Sequence, residues 1–354
     1  MRIDVHSHVI LPGMLGHAGR YGPEVKIADG KFVMRVGEHV STVRVDDKTA
    51  TMGHDPAGAL SFMNDAPTRL AEMDRLGIDM MGVTISPLFY LYWAEPEIGV
   101  PFSRALNDAL AEYCGDGDGR LFFMATLPMQ DAAAAVEEMD RAVIELGARA
   151  INIAGSNLGG RELDDEAFRP IFARAETLGV TMFIHPYPEH LAGDSAIPDD
   201  YNLSWVAGYP YQEMVAVCRL VLGGVLDDVP RLKVCVTHGG GFLPYQWGRL
   251  VKFAPFMPGV KAKKPLDDYL GNFYFDALLH DPRARRFLIE FAGADHVVYG
   301  SNFGSPQDQA DFGFVEDLGL PVDEVDLLRA TTAIELFGLT PARRPEGSSP
   351  SVHA

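Results

Sequence analysis

Short apolar runs, each ending in a polar residue, recur along most of the chain, and stretches with helical apolar spacing separate them. Arg2 to His6 alternates as a short strand does, placing residues i and i+2 on one face. From about Asp65 the pattern turns regular. Thr68 to Leu76 reads as an amphipathic helix stopped at Gly77, followed by the strand Met81 to Ile85. The same logic then repeats. A helix at 103–113 precedes a strand at 121–125, 131–146 precedes 150–153, 168–178 precedes 180–185, and 214–222 precedes 232–238. A longer crossing leads to Phe273–Asp276, and 283–291 leads to 296–300; helices near 322–329 and 332–336 close the pattern.

With the first strand this makes eight short, nearly continuous apolar strands separated mostly by helices. Such strands are covered on both faces, so the sheet is parallel, and eight units imply an α/β fold of the (β/α)8 TIM-barrel type. A doubly wound open sheet is the alternative, but no Gly-x-Gly-x-x-Gly follows any strand. The polar stretch 9–65 is too long for a turn and reads as an insertion after the first strand, with a short hairpin near Lys31–Val36. One barrel domain is expected over 1–340, with a disordered, Pro- and Ser-rich tail over 341–354.

Charge narrows the partners. The formal net charge of -19 over 354 residues argues against nucleic acid or an anionic membrane, so a small-molecule substrate is expected, and an anionic one needs locally placed arginine or a metal. No apolar run approaches the roughly 18 residues of a membrane span, and the N-terminus lacks the order of a signal peptide. The three cysteines, Cys114, Cys218 and Cys235, sit in apolar surroundings without paired spacing. A cytoplasmic location is the expectation.

In a barrel the residues ending the strands build the active site. His6 and His8 end the first strand, His185 the fifth, His238 the sixth, and Ser301-Asn302 the eighth. His-x-His alone is common and weak. Four histidines at one mouth are far more specific, and they offer nitrogen ligands to a zinc-like ion. The other seven histidines lack this placement. Aromatic residues after the second strand, Phe89, Tyr90, Tyr92 and Trp93, together with Trp205, can wall a flat substrate, although core packing suits Phe89 better.

Several stretches carry a family likeness: Met1 to His8, Met124 to Gln130, Phe183 to Pro186, Leu232 to Gly241 and Tyr274 to Pro282. Together they resemble the metal-dependent decarboxylase branch of the amidohydrolase superfamily, from residue 1 to about Leu339. The resemblance implies one divalent ion, zinc first and manganese second, with His6, His8 and His185 as ligands and His238 as acid/base. Arg249 resembles an arginine that binds a substrate carboxylate across a dimer interface, which implies a homodimer. The family's strand-eight motif has Gly-Ser/Thr-Asp-Tyr/Phe-Pro, whereas this chain has Gly300-Ser301-Asn302-Phe303-Gly304. Asn302 is neutral, a weaker ligand, and unable to return a proton. Non-oxidative decarboxylation of a small unsaturated or aromatic carboxylate is the expected activity. A hydrolase or hydratase on the same scaffold is the alternative favoured by Asn302, and a silent small-molecule-binding barrel is the second alternative.

Overall fold

A computed structural model describes residues 1–29, 31–44, 65–188, 201, 203–304 and 313–344. Eight parallel strands form one sheet: β1 (Ile3–Val9), β5 (Met80–Ile85), β6 (Leu121–Thr126), β7 (Ala150–Ile153), β8 (Thr181–Ile184), β9 (Val234–Val236), β10 (Phe273–Asp276) and β11 (Val297–Val298). Each strand pairs with the next in this order. The sheet closes where Val5 N–H donates to Tyr299 O at 3.0 Å and His8 N–H to Phe303 O at 2.7 Å. This is a (β/α)8 barrel.

The barrel interior is packed with Ile3, Val5, Phe122, Met124, Ala150, Phe183, Cys235 and Val298. Helix Thr332–Phe337 plugs the N-terminal end of the strands, where Thr181 Oγ1 donates to Leu336 O at 2.8 Å. That end is sealed, so the opposite, C-terminal end is the one open to chemistry.

The insertion carries a three-stranded antiparallel sheet of β2 (Glu24–Ala28), β3 (Lys31–Val36) and β4 (His39–Arg44). It is tied to the barrel by Tyr21, whose O–H donates to Glu95 Oε2 at 2.7 Å. Residues 45–64 of the expected 9–65 insertion, and most of the expected 341–354 tail, lie outside the described residues.

Helix boundaries follow capping chemistry. Asp65 caps Ala66–Leu76 by accepting from Thr68 N–H at 2.8 Å, and Gly77 ends it in the left-handed conformation. The helix expected at 103–113 runs from Pro96 to Gly115, because Pro96 supplies a preset first-turn φ. The helix expected at 131–146 is α-helical only to Asp140 and finishes as a π-type turn, Arg141–Glu145.

Arg69, wholly buried on Ala66–Leu76, pins β1. It donates to His8 O at 2.5 Å, Ser7 Oγ at 3.0 Å and Tyr113 Oη at 2.8 Å, and its guanidinium lies 5.0 Å from the Phe303 ring centre. Arg69→Met keeps the stem but strands buried acceptors. It is expected to lower unfolding stability by about 3 kcal/mol, read as a shifted urea midpoint at unchanged slope.

Candidate metal centre

β1 has an irregular register between Asp4 and Ser7, and this break lets His6 and His8 both turn inward. Their Nε2 atoms lie 3.3 Å apart. His185, one residue past β8, joins them, with ring centres 5.0 Å from His6 and 4.9 Å from His8. His238, after β9, stands 5.3 Å from both His6 and His185. The four expected histidines therefore converge, and ring nitrogens of His6, His185 and His238 lie within 4.8 Å of one another.

Each imidazole is oriented by a partner on its other nitrogen. His6 Nδ1 is 2.6 Å from Asp276 Oδ2, His8 Nδ1 is 3.0 Å from Thr84 Oγ1, and His185 Nδ1 is 2.6 Å from Pro186 O. A carbonyl or carboxylate can only accept, so Nδ1 carries the proton in His6 and His185, and Nε2 presents a lone pair. Burial holds His6, His8 and His185 below the ordinary histidine pKa, most strongly His8 and His185. His185 Nε2 is buried without a hydrogen-bond partner among the described residues. Neutral nitrogens crowded lone pair to lone pair, each braced from behind, fit a divalent cation and suit little else.

His238 is built differently. Its Nδ1 meets Glu213 Oε1 at 2.6 Å, and the same oxygen accepts from Thr237 Oγ1 at 2.5 Å. Burial works against charge on His238, but the hydrogen bond and charge of Glu213, joined by the charge of Asp276, together outweigh it and raise the pKa above the ordinary value. The side chain is 19% exposed, whereas that of His6 is sealed. It is the member of the cluster that can hold a proton and exchange it with solvent.

Glycines shape both halves of the site. Gly239, Gly240 and Gly241 all adopt positive φ, and a Cβ at Gly241 would stand 2.2 Å from Pro210 O. His238 shares that left-handed backbone at φ 47°, a conformation costing about 1–2 kcal/mol outside glycine. At Gly300 a Cβ would stand 2.9 Å from His6 Cβ and 3.1 Å from Asp276 Cβ, so the missing side chain makes room for that pair.

The remaining expected residues divide. Asn302 is buried, with φ 63°, after β11. Trp93 is half-buried and stacks on Tyr187, the second residue after His185, at 6.3 Å. Trp205 is half-buried in the turn Ser204–Gly208, just before the helix Tyr209–Leu222 that carries Glu213. Arg249 is exposed on the helix Leu243–Phe253, its guanidinium 4.9 Å from the Phe253 ring centre, and the chain does not bring it into the histidine cluster. Phe89 is core. Asp276 and Glu213 emerge only from the fold. Asp276 had the signal of a polar strand end, while Glu213 sits mid-helix with none.

An amidohydrolase family model matches residues 3–339. The 2-amino-3-carboxymuconate-6-semialdehyde decarboxylase of Dictyostelium discoideum is 34% identical over 245 residues, covering 68% of this chain and 67% of that protein. The 6-methylsalicylic acid decarboxylase of Penicillium expansum is 29% identical, covering 69% of this chain and 77% of that protein. Among solved structures, the 5-carboxyvanillate decarboxylase of Novosphingobium aromaticivorans, complexed with manganese and 4-hydroxy-3-methoxy-5-nitrobenzoic acid, superposes with TM-score 0.75 at 22% identity over 96% of both chains.

Proposed function

Because the chain belongs to the amidohydrolase family, in its decarboxylase branch, we propose that it is a metal-dependent, non-oxidative decarboxylase of a small aromatic carboxylate. The observation that carries this is the set of braced, partly orphaned imidazole nitrogens at the barrel mouth, beside one histidine tuned to hold a proton.

His6, His8 and His185 would hold a divalent ion, zinc or manganese, with Asp276 fixing His6 from behind. When bound, the ion would supply Lewis-acid polarisation of a substrate oxygen. The chain's residues do the rest. His238, held through Nδ1 by Glu213, gives its Nε2 proton to the ring carbon that bears the carboxylate. The carbon–carbon bond then breaks, its electron pair returns to the ring, and carbon dioxide leaves. One proton is taken up per carbon dioxide released, and His238 regains its proton through its exposed edge. Asn302 stays neutral throughout and takes no proton, so His238 handles proton transfer alone.

Arg249 meets the substrate carboxylate from a partner subunit in a homodimer. Its helix and the turn after it expose Phe242, Tyr245, Phe253, Phe256 and Met257, an apolar face of the kind that a second copy covers. Three free cysteines suit a reducing cytoplasm, and no helix among the described residues is long and apolar enough to cross a membrane.

Incubating the metal-loaded protein with a panel of hydroxybenzoates and carboxymuconate semialdehydes tests the reaction class. Carbon dioxide and the product protonated at the carbon that bore the carboxylate, in equal amounts, are expected. Ring-opened or hydrated products without carbon dioxide would favour the hydrolase or hydratase that the neutral Asn302 leaves open.

A further inference from the structure

Asn152 is fully buried on β7, and its Oδ1 accepts a hydrogen bond from the Tyr90 O–H at 2.9 Å. Its Nδ2 has no hydrogen-bond partner among the described residues. A buried amide N–H without an acceptor is strongly disfavoured unless something else arrives to accept it.

Strand parity shows where that donor looks. Ala150 and Phe183 pack in the barrel interior, so Asn152 and His185, each two residues further along, also face inward on neighbouring strands. Asn152 is in register with Phe183, beneath the histidine layer. Beside it, on the Tyr90 side, lies a buried cluster of flat rings. Tyr90 stacks on Tyr92 at 5.1 Å and 5°, and Tyr187 stands edge-on to Tyr90 at 6.2 Å while stacking on Trp93.

We propose that Asn152 is a specificity residue, its Nδ2 binding an uncharged oxygen substituent on the substrate ring, such as a phenol hydroxyl, while Tyr90 fixes the amide's orientation. This rests on the aromatic-acid reading above. The carboxylate itself does not fit there: a single neutral amide among tyrosine rings cannot replace the hydration of a full charge. A neutral phenol oxygen needs only the one donor that Asn152 has spare. A site built to bond a substrate oxygen discriminates strongly against the analogue lacking it.

Calorimetric binding of benzoate and of 2-, 3- and 4-hydroxybenzoate to the metal-loaded protein tests this. One hydroxylated isomer is expected to bind at least about tenfold more tightly than benzoate. Asn152→Leu should abolish that advantage and leave benzoate affinity within about twofold. If the leucine variant does not fold, Tyr90→Phe, which frees the amide to rotate, should shrink the advantage in the same selective way. The proposal is overturned if no isomer is preferred, if the preference survives both variants, or if all four acids weaken equally, as they would if Nδ2 held only a buried water. The readout is binding, so failure to release carbon dioxide would sink the decarboxylase reading and leave this test standing.

Discussion

His238→Gln is expected to lower kcat about 1,000-fold while the protein keeps its metal and its melting temperature. The amide retains much of the imidazole's shape but cannot carry a proton to carbon. Metal content should survive because three other imidazoles, each braced through Nδ1, remain. Glu213→Gln gives the companion result with a worked sign. The carboxylate raises the pKa of His238, so removing it lowers that pKa. A rate that needs the imidazolium is present below its pKa and lost above it, so the basic limb of the pH–rate profile should move to lower pH. An unmoved limb with full activity would remove His238 from the chemistry.

Losing the metal is the second large effect. His8→Ala deletes one of the two Nε2 atoms that face each other 3.3 Å apart, and it should weaken metal binding by well over 100-fold, leaving no stoichiometric ion after gel filtration. Asp276→Asn is the graded control. It keeps a hydrogen-bond acceptor behind His6 but removes the charge, and outer-shell changes of this kind typically cost about 10–100-fold in affinity. Metal analysis by mass spectrometry reads both. Full occupancy in His8→Ala would mean that the ion sits elsewhere.

Much of this fold and site was legible because buried parallel strands read as apolar runs, and because barrel chemistry collects where those runs end in polar residues. His6, His8, His185 and His238 are all such endings, and one mouth gathers them. What stayed hidden depends on distance along the chain. Asp276 reaches His6 across 270 residues, and Glu213 is a helical glutamate indistinguishable in sequence from a solvated one until its helix packs behind His238. Arg69 reads as a surface arginine of an amphipathic helix, yet it is sealed against β1. Asn152 reads as an ordinary strand residue, and only the closed barrel shows its amide nitrogen lacking a partner among the described residues. The start of the 96–115 helix was obscured by its two prolines, one preset for the first turn and one tolerated inside it.

The most direct test of the account is to strip the protein with a chelator, return zinc or manganese in steps, and follow carbon dioxide release from an accepted aromatic acid against metal bound. The account predicts no release from the stripped protein, then a linear rise that saturates at one ion per chain. Undiminished release from the stripped protein, or one bound ion with no carbon dioxide from any acid in the panel, would contradict it.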